Sequence, residues 1–279
     1  MQPGQPSRTA RAAATHRAVH QILEQGRIFA DPLALRILGE DGDALAREAD
    51  DVPLRRGMRL FIAARTRFAE DALAWAIGQG VSQLVVLGAG LDTYAYRSAP
   101  ARGLRIFEVD HPATQAWKRQ RLVEAAIAVP PALTFAPVDF ERETLPDGLL
   151  AAGFDPQQRS FFTWLGVVPY LTEPAIFTTL AYIAGLPGGA QAVFDYANPP
   201  GSLAPQARAA MELRAARVAK LGEAWVSYFD AAELDARLRA SGFTQVEDLG
   251  PAQIAARYFP EWVDGAAEKG GHIVRAATF

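Results

Sequence analysis

Asp110 and the glycines of Gly88-Ala89-Gly90 are the residues whose type and spacing most directly imply chemistry. Asp110 closes the apolar run Leu104-Arg105-Ile106-Phe107-Glu108-Val109. It lies about 20 residues past the glycines, a separation at which a carboxylate can accept hydrogen bonds from both ribose hydroxyls of a nucleoside. Glycines at a strand end let the backbone turn sharply and let a ligand come close to the main chain, because no Cβ intervenes. Taken alone, such a pair could also be only a tight turn. Gly88-x-Gly90-x-x-Thr93 lacks the third glycine that dinucleotide sites use, and Asp92 puts a negative charge where a diphosphate would sit. A ligand with a positive centre suits Asp92 better.

Other residues fall where a ligand could use them. Arg65 follows Phe61 by four residues and precedes Phe68 by three, so it borders the apolar face of a helix. An arginine there either pairs with an internal carboxylate or binds an anionic ligand, because an unpaired buried charge is costly. His111 stands beside the expected sugar site, as a ligand contact or as a structural residue at a strand end. Asp139-Phe140 follows the third strand, where a carboxylate can take an exocyclic amine and a ring can cover a base. Asp139 could equally cap the turn that follows. Tyr170 reads as a substrate-facing hydroxyl or an interface aromatic. Asp195 and Tyr196 come off the carboxyl end of the fifth strand, the edge on which open α/β sheets bind ligands. No constellation clearly serves as a general base; Tyr170, Asp195 and His111 are the catalytic candidates.

Buried parallel strands must position these groups. Leu84-Val85-Val86-Leu87 is too short for a helix and reads as a strand buried on both faces. Further strands are expected over 104–110, Leu133 to Val138, Phe161 to Val168 and Ala190 to Phe194. Phe243 to Leu249 and His272 to Phe279 supply an antiparallel pair at one sheet edge. Residues 1–7 are expected to be disordered, with a helix from Thr9 to about Gly26 whose Arg11, Arg17 and His20 read as a solvated basic face. Asp31 caps a short helix that Pro32 opens, and residues 39–53 form an acidic loop or short helix. A long helix over Leu54 to Ile77 places Phe61, Ala64, Phe68 and Trp75 on one face. After His111-Pro112 comes ATQAWKRQRLVEAA, with Lys118, Arg119 and Arg121 as a solvated face. Helices from Thr172 to Ala184, Pro205 to Leu221 and Asp230 to Ser241 complete the pattern. Residues 1–80 form an N-terminal helical segment and 81–279 the core, one compact unit overall.

The 279 residues, half of them hydrophobic with net charge −3, are ample for one large α/β core. Near-neutral charge without long basic runs argues against nucleic acid as the main partner. No apolar run approaches the roughly 18 residues of a membrane span, and the N-terminus lacks the apolar stretch of a secretory signal. There is no cysteine, and the four histidines are too scattered to suggest a metal site. A cytoplasmic location is the expectation.

Several motifs in fixed order carry a resemblance. LGAGLDTYAYR, EVDHPATQAWKRQRL, WLGVVPYLT and FTQVEDLGPAQIAARYF resemble bacterial S-adenosylmethionine-dependent methyltransferases related to leucine carboxyl methyltransferase and to polyketide carboxyl O-methyltransferases. The resemblance runs from the DPLA motif near residue 31 to the end of the chain. It implies an α/β, Rossmann-like class I methyltransferase fold: a mostly parallel seven-stranded sheet, an antiparallel last strand and an N-terminal helical cap. It implies S-adenosyl-L-methionine as cofactor, with Arg65 on its carboxylate, Gly88, Ala89, Gly90, Asp110 and His111 around the sugar, and Asp139 and Phe140 at the adenine. Tyr170, Asp195 and Tyr196 are the substrate-side candidates. The implied reaction is O-methylation of a small-molecule carboxylate or hydroxyl of secondary-metabolite type. A cofactor-binding protein without transferase activity and a nicotinamide-dependent oxidoreductase are the alternatives. Leu165 stands where the wider family often has a glutamate, so the substrate of the protein-carboxyl branch does not carry over.

Overall fold

The computed structural model describes residues 7–50, 53–97, 103–140, 142–219, 224–261 and 270–279. Of the disorder expected for residues 1–7, residues 1–6 lie outside them, as do the last residues of the helix expected to reach Leu221, whereas Ser7 is ordered as the cap of α1. Four helices precede the first strand: α1 (Arg8–Leu23), α2 (Ala34–Leu38), α3 (Gly42–Asp50) and α4 (Pro53–Gly78). Then come β1 (Gln83–Leu87), α5 (Tyr94–Arg97), β2 (Arg105–Asp110), α6 (Pro112–Glu124), β3 (Leu133–Pro137) and α7 (Leu145–Ala151). The chain continues through β4 (Ser160–Trp164), α8 (Glu173–Ala184), β5 (Ala190–Ala197), α9 (Pro205–Ala219) and α10 (Ala231–Ala240). It ends with β6 (Gln245–Leu249), α11 (Pro251–Tyr258) and β7 (Gly271–Ala277).

The strands form one seven-stranded sheet in the order β3-β2-β1-β4-β5-β7-β6. β2 with β3, β1 with β4 and β4 with β5 run parallel, whereas β7 is antiparallel to both β5 and β6. This is the Rossmann-like class I methyltransferase fold, antiparallel last strand included. The final antiparallel pair lies at one sheet edge, as expected, and its two strands differ in burial. β7 is buried along most of its length and lies inside the sheet, while the half-exposed β6 forms the edge. Burial decides the order: the strand with apolar residues on both faces takes the interior position.

Met1–Arg67 and Gly88–Phe154 form one compact unit; Phe68–Leu87 and Asp155–Phe279 form the other. In the first, Ser7 caps α1 through its hydroxyl, which accepts the Ala10 N–H at 3.1 Å. Ala14 and Ala18 of α1 are fully buried with Ala34 and Ile37 of α2 and Leu122 of α6 in one apolar cluster. β2 pairs with β3 from Ile106–Leu133 to Asp110–Pro137. In the second unit every residue of β1 and β5 is buried. Trp75, expected on the buried face of α4, is 49% exposed; Leu73 and Ala76 take the buried positions in that last stretch. The fourth strand stops at Trp164 instead of reaching Val168. Gly166, at φ +71°, turns the chain there, and a 3-10 turn over Val168–Tyr170 follows. Among the described residues no helix is long and apolar enough to cross a membrane.

Candidate cofactor-binding site

The glycine loop is tied to the end of β2 by its own amides. Gly88 and Gly90 adopt φ of +65° and +45°, values that strain any residue with a Cβ. The Ala89 N–H donates to the Val109 carbonyl at 3.1 Å, and the Gly90 N–H to Asp110 Oδ2 at 2.6 Å. The other carboxylate oxygen, Oδ1, accepts the His111 N–H at 2.7 Å. Each oxygen is thus fixed by one backbone donor, and an ionised carboxylate has acceptor capacity for further hydroxyls beyond these two. Burial raises the Asp110 pKa; the two amide donors, the Lys118 charge and His111 oppose it.

The neighbouring candidates are placed around this anchor. Val138 N–H donates to the Asp110 carbonyl at 2.9 Å, so Asp139-Phe140 leaves β3 directly after a residue bonded to Asp110. Phe140 is 59% exposed, and Asp139 Oδ2 lies 3.7 Å from Arg142 Nε. The turn after Asp139 is closed by its carbonyl, which accepts the Arg142 and Glu143 N–H groups at 2.8 Å. His111 is the N-cap of α6, its Nδ1 accepting the Ala113 N–H at 3.2 Å. Asp92 Oδ1 accepts the Tyr94 N–H at 2.9 Å at the start of α5. Arg65 is buried on α4, with its guanidinium carbon 5.9 Å from the Phe61 ring centre.

Buried polar clusters gather around α1 and, separately, at β2 in the same unit. Asp31 is a hub: its carboxylate accepts from Thr93 Oγ1 at 2.7 Å, Arg17 Nε at 3.3 Å and the Leu33 N–H at 3.1 Å. Arg97 Nε stands 3.9 Å away, and Arg17 also donates to the Leu91 carbonyl. Asp31 therefore joins α1 to the loop that carries the glycines; α2 begins only at Ala34, so Pro32 does not open it. Arg17 and His20 are buried, which corrects the solvated face expected of this helix. His20 and Arg59 instead hold Glu24, with Arg59 Nε and Nη2 at 2.7 and 2.6 Å. Burial alone would raise the Glu24 pKa, but these hydrogen bonds and charges hold it at about 2.

The second cluster overturns the solvated reading of Lys118. This side chain is 1% exposed and its Nζ lies 2.7 Å from Glu108 Oε2. Tyr96 donates to the same oxygen at 3.0 Å. α6 buries Lys118 together with Thr114 and Leu122, a stripe at four-residue spacing.

The substrate-side candidates lie in the other unit. Asp195 is 4% exposed and its Oδ1 accepts the Gly166 N–H at 2.6 Å. The Tyr196 hydroxyl donates to Asp248 Oδ2 at 2.6 Å, and its ring stacks on His272 with centres 4.7 Å apart. His272 in turn bridges Asp248 Oδ1 at 2.8 Å and Asn198 Oδ1 at 2.9 Å. Burial raises the Tyr196 pKa, and the bond to Asp248 adds to it. Tyr170 is half-buried at the end of the 3-10 turn. Among the described residues no group of three or more His, Cys, Asp or Glu is placed to hold a metal ion.

Comparison with known proteins bears on the family and the fold. The sequence pattern of the family described as "Leucine carboxyl methyltransferase" matches residues 10–184. The Bacillus subtilis protein named "Putative S-adenosyl-L-methionine-dependent methyltransferase YktD" is 35% identical over 198 residues, 70% of this chain and 65% of that protein. A Mycobacterium ulcerans protein named "Putative S-adenosyl-L-methionine-dependent methyltransferase" is 31% identical over 226 residues, 75% of this chain and 71% of its own. The match thus spans about two thirds of these curated relatives. A crystal structure of a DUF574 family protein from Streptomyces avermitilis shares the fold, with a TM-score of 0.51 at 16% identity over 94% of this chain and 96% of that one. With 175 consecutive residues matching the family pattern (10 to 184 inclusive), the chain belongs to the leucine carboxyl methyltransferase family of S-adenosylmethionine-dependent methyltransferases.

Proposed function

We propose that this chain is an S-adenosylmethionine-dependent methyltransferase that transfers the methyl group to an oxygen of a small-molecule carboxylate or hydroxyl, in secondary metabolism and in the cytoplasm. The observation that carries the cofactor side is Asp110, whose two oxygens are held by the Gly90 and His111 amides next to a positive-φ glycine loop. The donor set fits the group: an acidic acceptor for ribose hydroxyls, glycines that admit the main chain, and Asp139 with the exposed Phe140 ring for an adenine. Arg65 is the proposed partner of the cofactor carboxylate.

When bound, S-adenosylmethionine supplies a methyl group on a positively charged sulfur. The chain's part is to hold the reactants in line, an effect that can contribute roughly 7–11 kcal/mol to lowering a barrier. Asp110 does this for the sugar through a carboxylate already fixed in direction, so little freedom is lost on binding. A carboxylate acceptor is itself a nucleophile and needs no base. A hydroxyl needs proton removal, a task worth about 10²- to 10⁴-fold, and Asp195, Tyr170 and His111 are the proposed candidates. Leu165, just past β4, leaves the glutamate contact of the protein-carboxyl branch without an equivalent at that position.

Calorimetric titration with S-adenosylhomocysteine and with NAD(H), side by side, tests the cofactor. Binding of the first alone is expected. Radiolabelled methyl transfer to a panel of acids and phenols tests the reaction, and N-methyl products alone would remove the oxygen assignment. Tight cofactor binding with no turnover on any acceptor would favour the non-catalytic alternative.

A further inference from the structure

Glu108 and Asp110 are two residues apart on β2, so their side chains share a face of the sheet. Glu108 is 1% exposed, and its Oε2 takes both the Lys118 ammonium at 2.7 Å and the Tyr96 hydroxyl at 3.0 Å. Lys118 is equally buried and also sits 5.2 Å from the Tyr96 ring centre. The charged groups around this pair come from two elements. Asp92 lies at the head of α5 and acts on both Glu108 and Tyr96; His111 and Lys118 of the α6 segment act on Asp110; Arg119 acts on Tyr96. Three carboxylates therefore crowd one end of β2, and Lys118 is the cation that both Glu108 and Asp110 feel. A lysine ammonium has no reason to be sealed in a domain interior unless a buried negative charge holds it there.

We propose that Lys118 is a positioning residue for cofactor binding: its buried ammonium keeps the Glu108–Asp110 pair ionised, so that Asp110 can meet the sugar hydroxyls as an acceptor. The inference rests on Asp110 being the sugar-binding carboxylate. Without the ammonium, the charge that opposes burial at both carboxylates is gone, and each takes up a proton nearer neutrality. A protonated Asp110 donates from one oxygen and loses the symmetric acceptor that two ribose hydroxyls require. Burial pushes Glu108 up, Lys118 pulls it back, and it settles at about 6.

The test uses the full chain and titrates S-adenosylhomocysteine by calorimetry between about pH 5 and 9, in buffers of different ionisation enthalpy that report proton uptake. Lys118→Met keeps the volume and removes the charge. Its affinity at pH 7 is expected to fall about tenfold, the change that follows when the controlling ionisation rises to about one pH unit above the assay pH, and to recover as pH rises. Glu108→Gln is expected to move the profile the opposite way, with affinity holding to lower pH than in the wild type. The double variant is expected to regain most of the neutral-pH affinity. A merely structural ion pair would lower stability in both single variants and leave the pH profile of binding where it was. That result, or shifts of the same sign in both, overturns the proposal, and Glu108→Gln decides alone if Lys118→Met does not fold. Absence of S-adenosylhomocysteine binding by the wild type would instead remove the reading of the site, and this proposal with it.

Discussion

Asp110 Oδ2 and the Gly90 amide nitrogen are 2.6 Å apart, and this one hydrogen bond fixes a carboxylate and a glycine loop with respect to each other. Asp195 Oδ1 stands in the same relation to the Gly166 amide, also at 2.6 Å, in the other unit. In both places a strand carboxylate holds a positive-φ glycine that follows another strand. Charge-assisted bonds of this kind are worth about 1.5–3 kcal/mol each.

Asp110→Asn places an amide NH2 against either the Gly90 or the His111 N–H, so one donor loses its acceptor. Affinity for S-adenosylhomocysteine should fall roughly 10- to 100-fold, following from about 1.4 kcal/mol per tenfold. Calorimetry reads this directly. Unchanged affinity would take Asp110 out of the sugar site.

Gly90→Ala meets two penalties. A left-handed φ costs a residue with Cβ about 1–2 kcal/mol, and the new methyl would lie 2.8 Å from Ala10 Cβ on α1. Both the urea midpoint and cofactor affinity should drop. Adding Ala10→Gly relieves the collision and not the φ strain, so partial recovery in the double variant is expected. Full recovery would show that φ is not limiting.

Asp31→Ala removes the acceptor shared by Thr93 and Arg17 and the counter-charge of Arg97. Breaking a buried pair by deleting one partner typically costs 3–5 kcal/mol, so urea unfolding should show a loss of about that size. Cofactor affinity should weaken as well, because Thr93 and Leu91 belong to the loop that the hub secures. A loss under about 0.5 kcal/mol, the range of an ordinary surface change, would contradict the hub.

Acid sensitivity has a definite sign at Glu24. Its folded pKa is about 2 against an ordinary 4.5, so its contribution to stability is present above about pH 4.5 and is lost as pH falls toward 2. Glu108 acts in the opposite sense. Raised to about 6, it favours the fold fully below 4.5, and that advantage is lost as pH rises through 6. In urea unfolding at pH 7, Glu24→Gln should be less stable than the wild type, and the difference should shrink as pH falls from 4.5 to 2. A constant difference across that window would reassign the acid response to other carboxylates.

The strands were legible because burial on both faces leaves a mark that needs no context: Leu84 to Leu87 is an apolar run that ends on a glycine, and Ala190 to Phe194 is mostly apolar and follows Pro187-Gly188-Gly189. The Asp110 anchor could be read from spacing along one strand and one loop. The buried charges could not be read that way. Arg17 and Lys118 look like any exposed cation until Asp31 and Glu108 are brought to them from 14 and 10 positions away. The end of β4 is not legible locally, because Val167 and Val168 favour a strand, while the Asp195–Gly166 bond bends the chain before them. The short α5 and α7, and α11, carry too little periodicity to stand out from loops.

The position of β7 has a consequence for how the protein is made. Among the described residues, Gln245–Leu249 finds its strand partner only in Gly271–Ala277, and the open side of β5 is covered by the same seven residues. On a ribosome these two stretches must wait, edge exposed, until the chain beyond Gly271 emerges, so chaperone capture during synthesis should concentrate there.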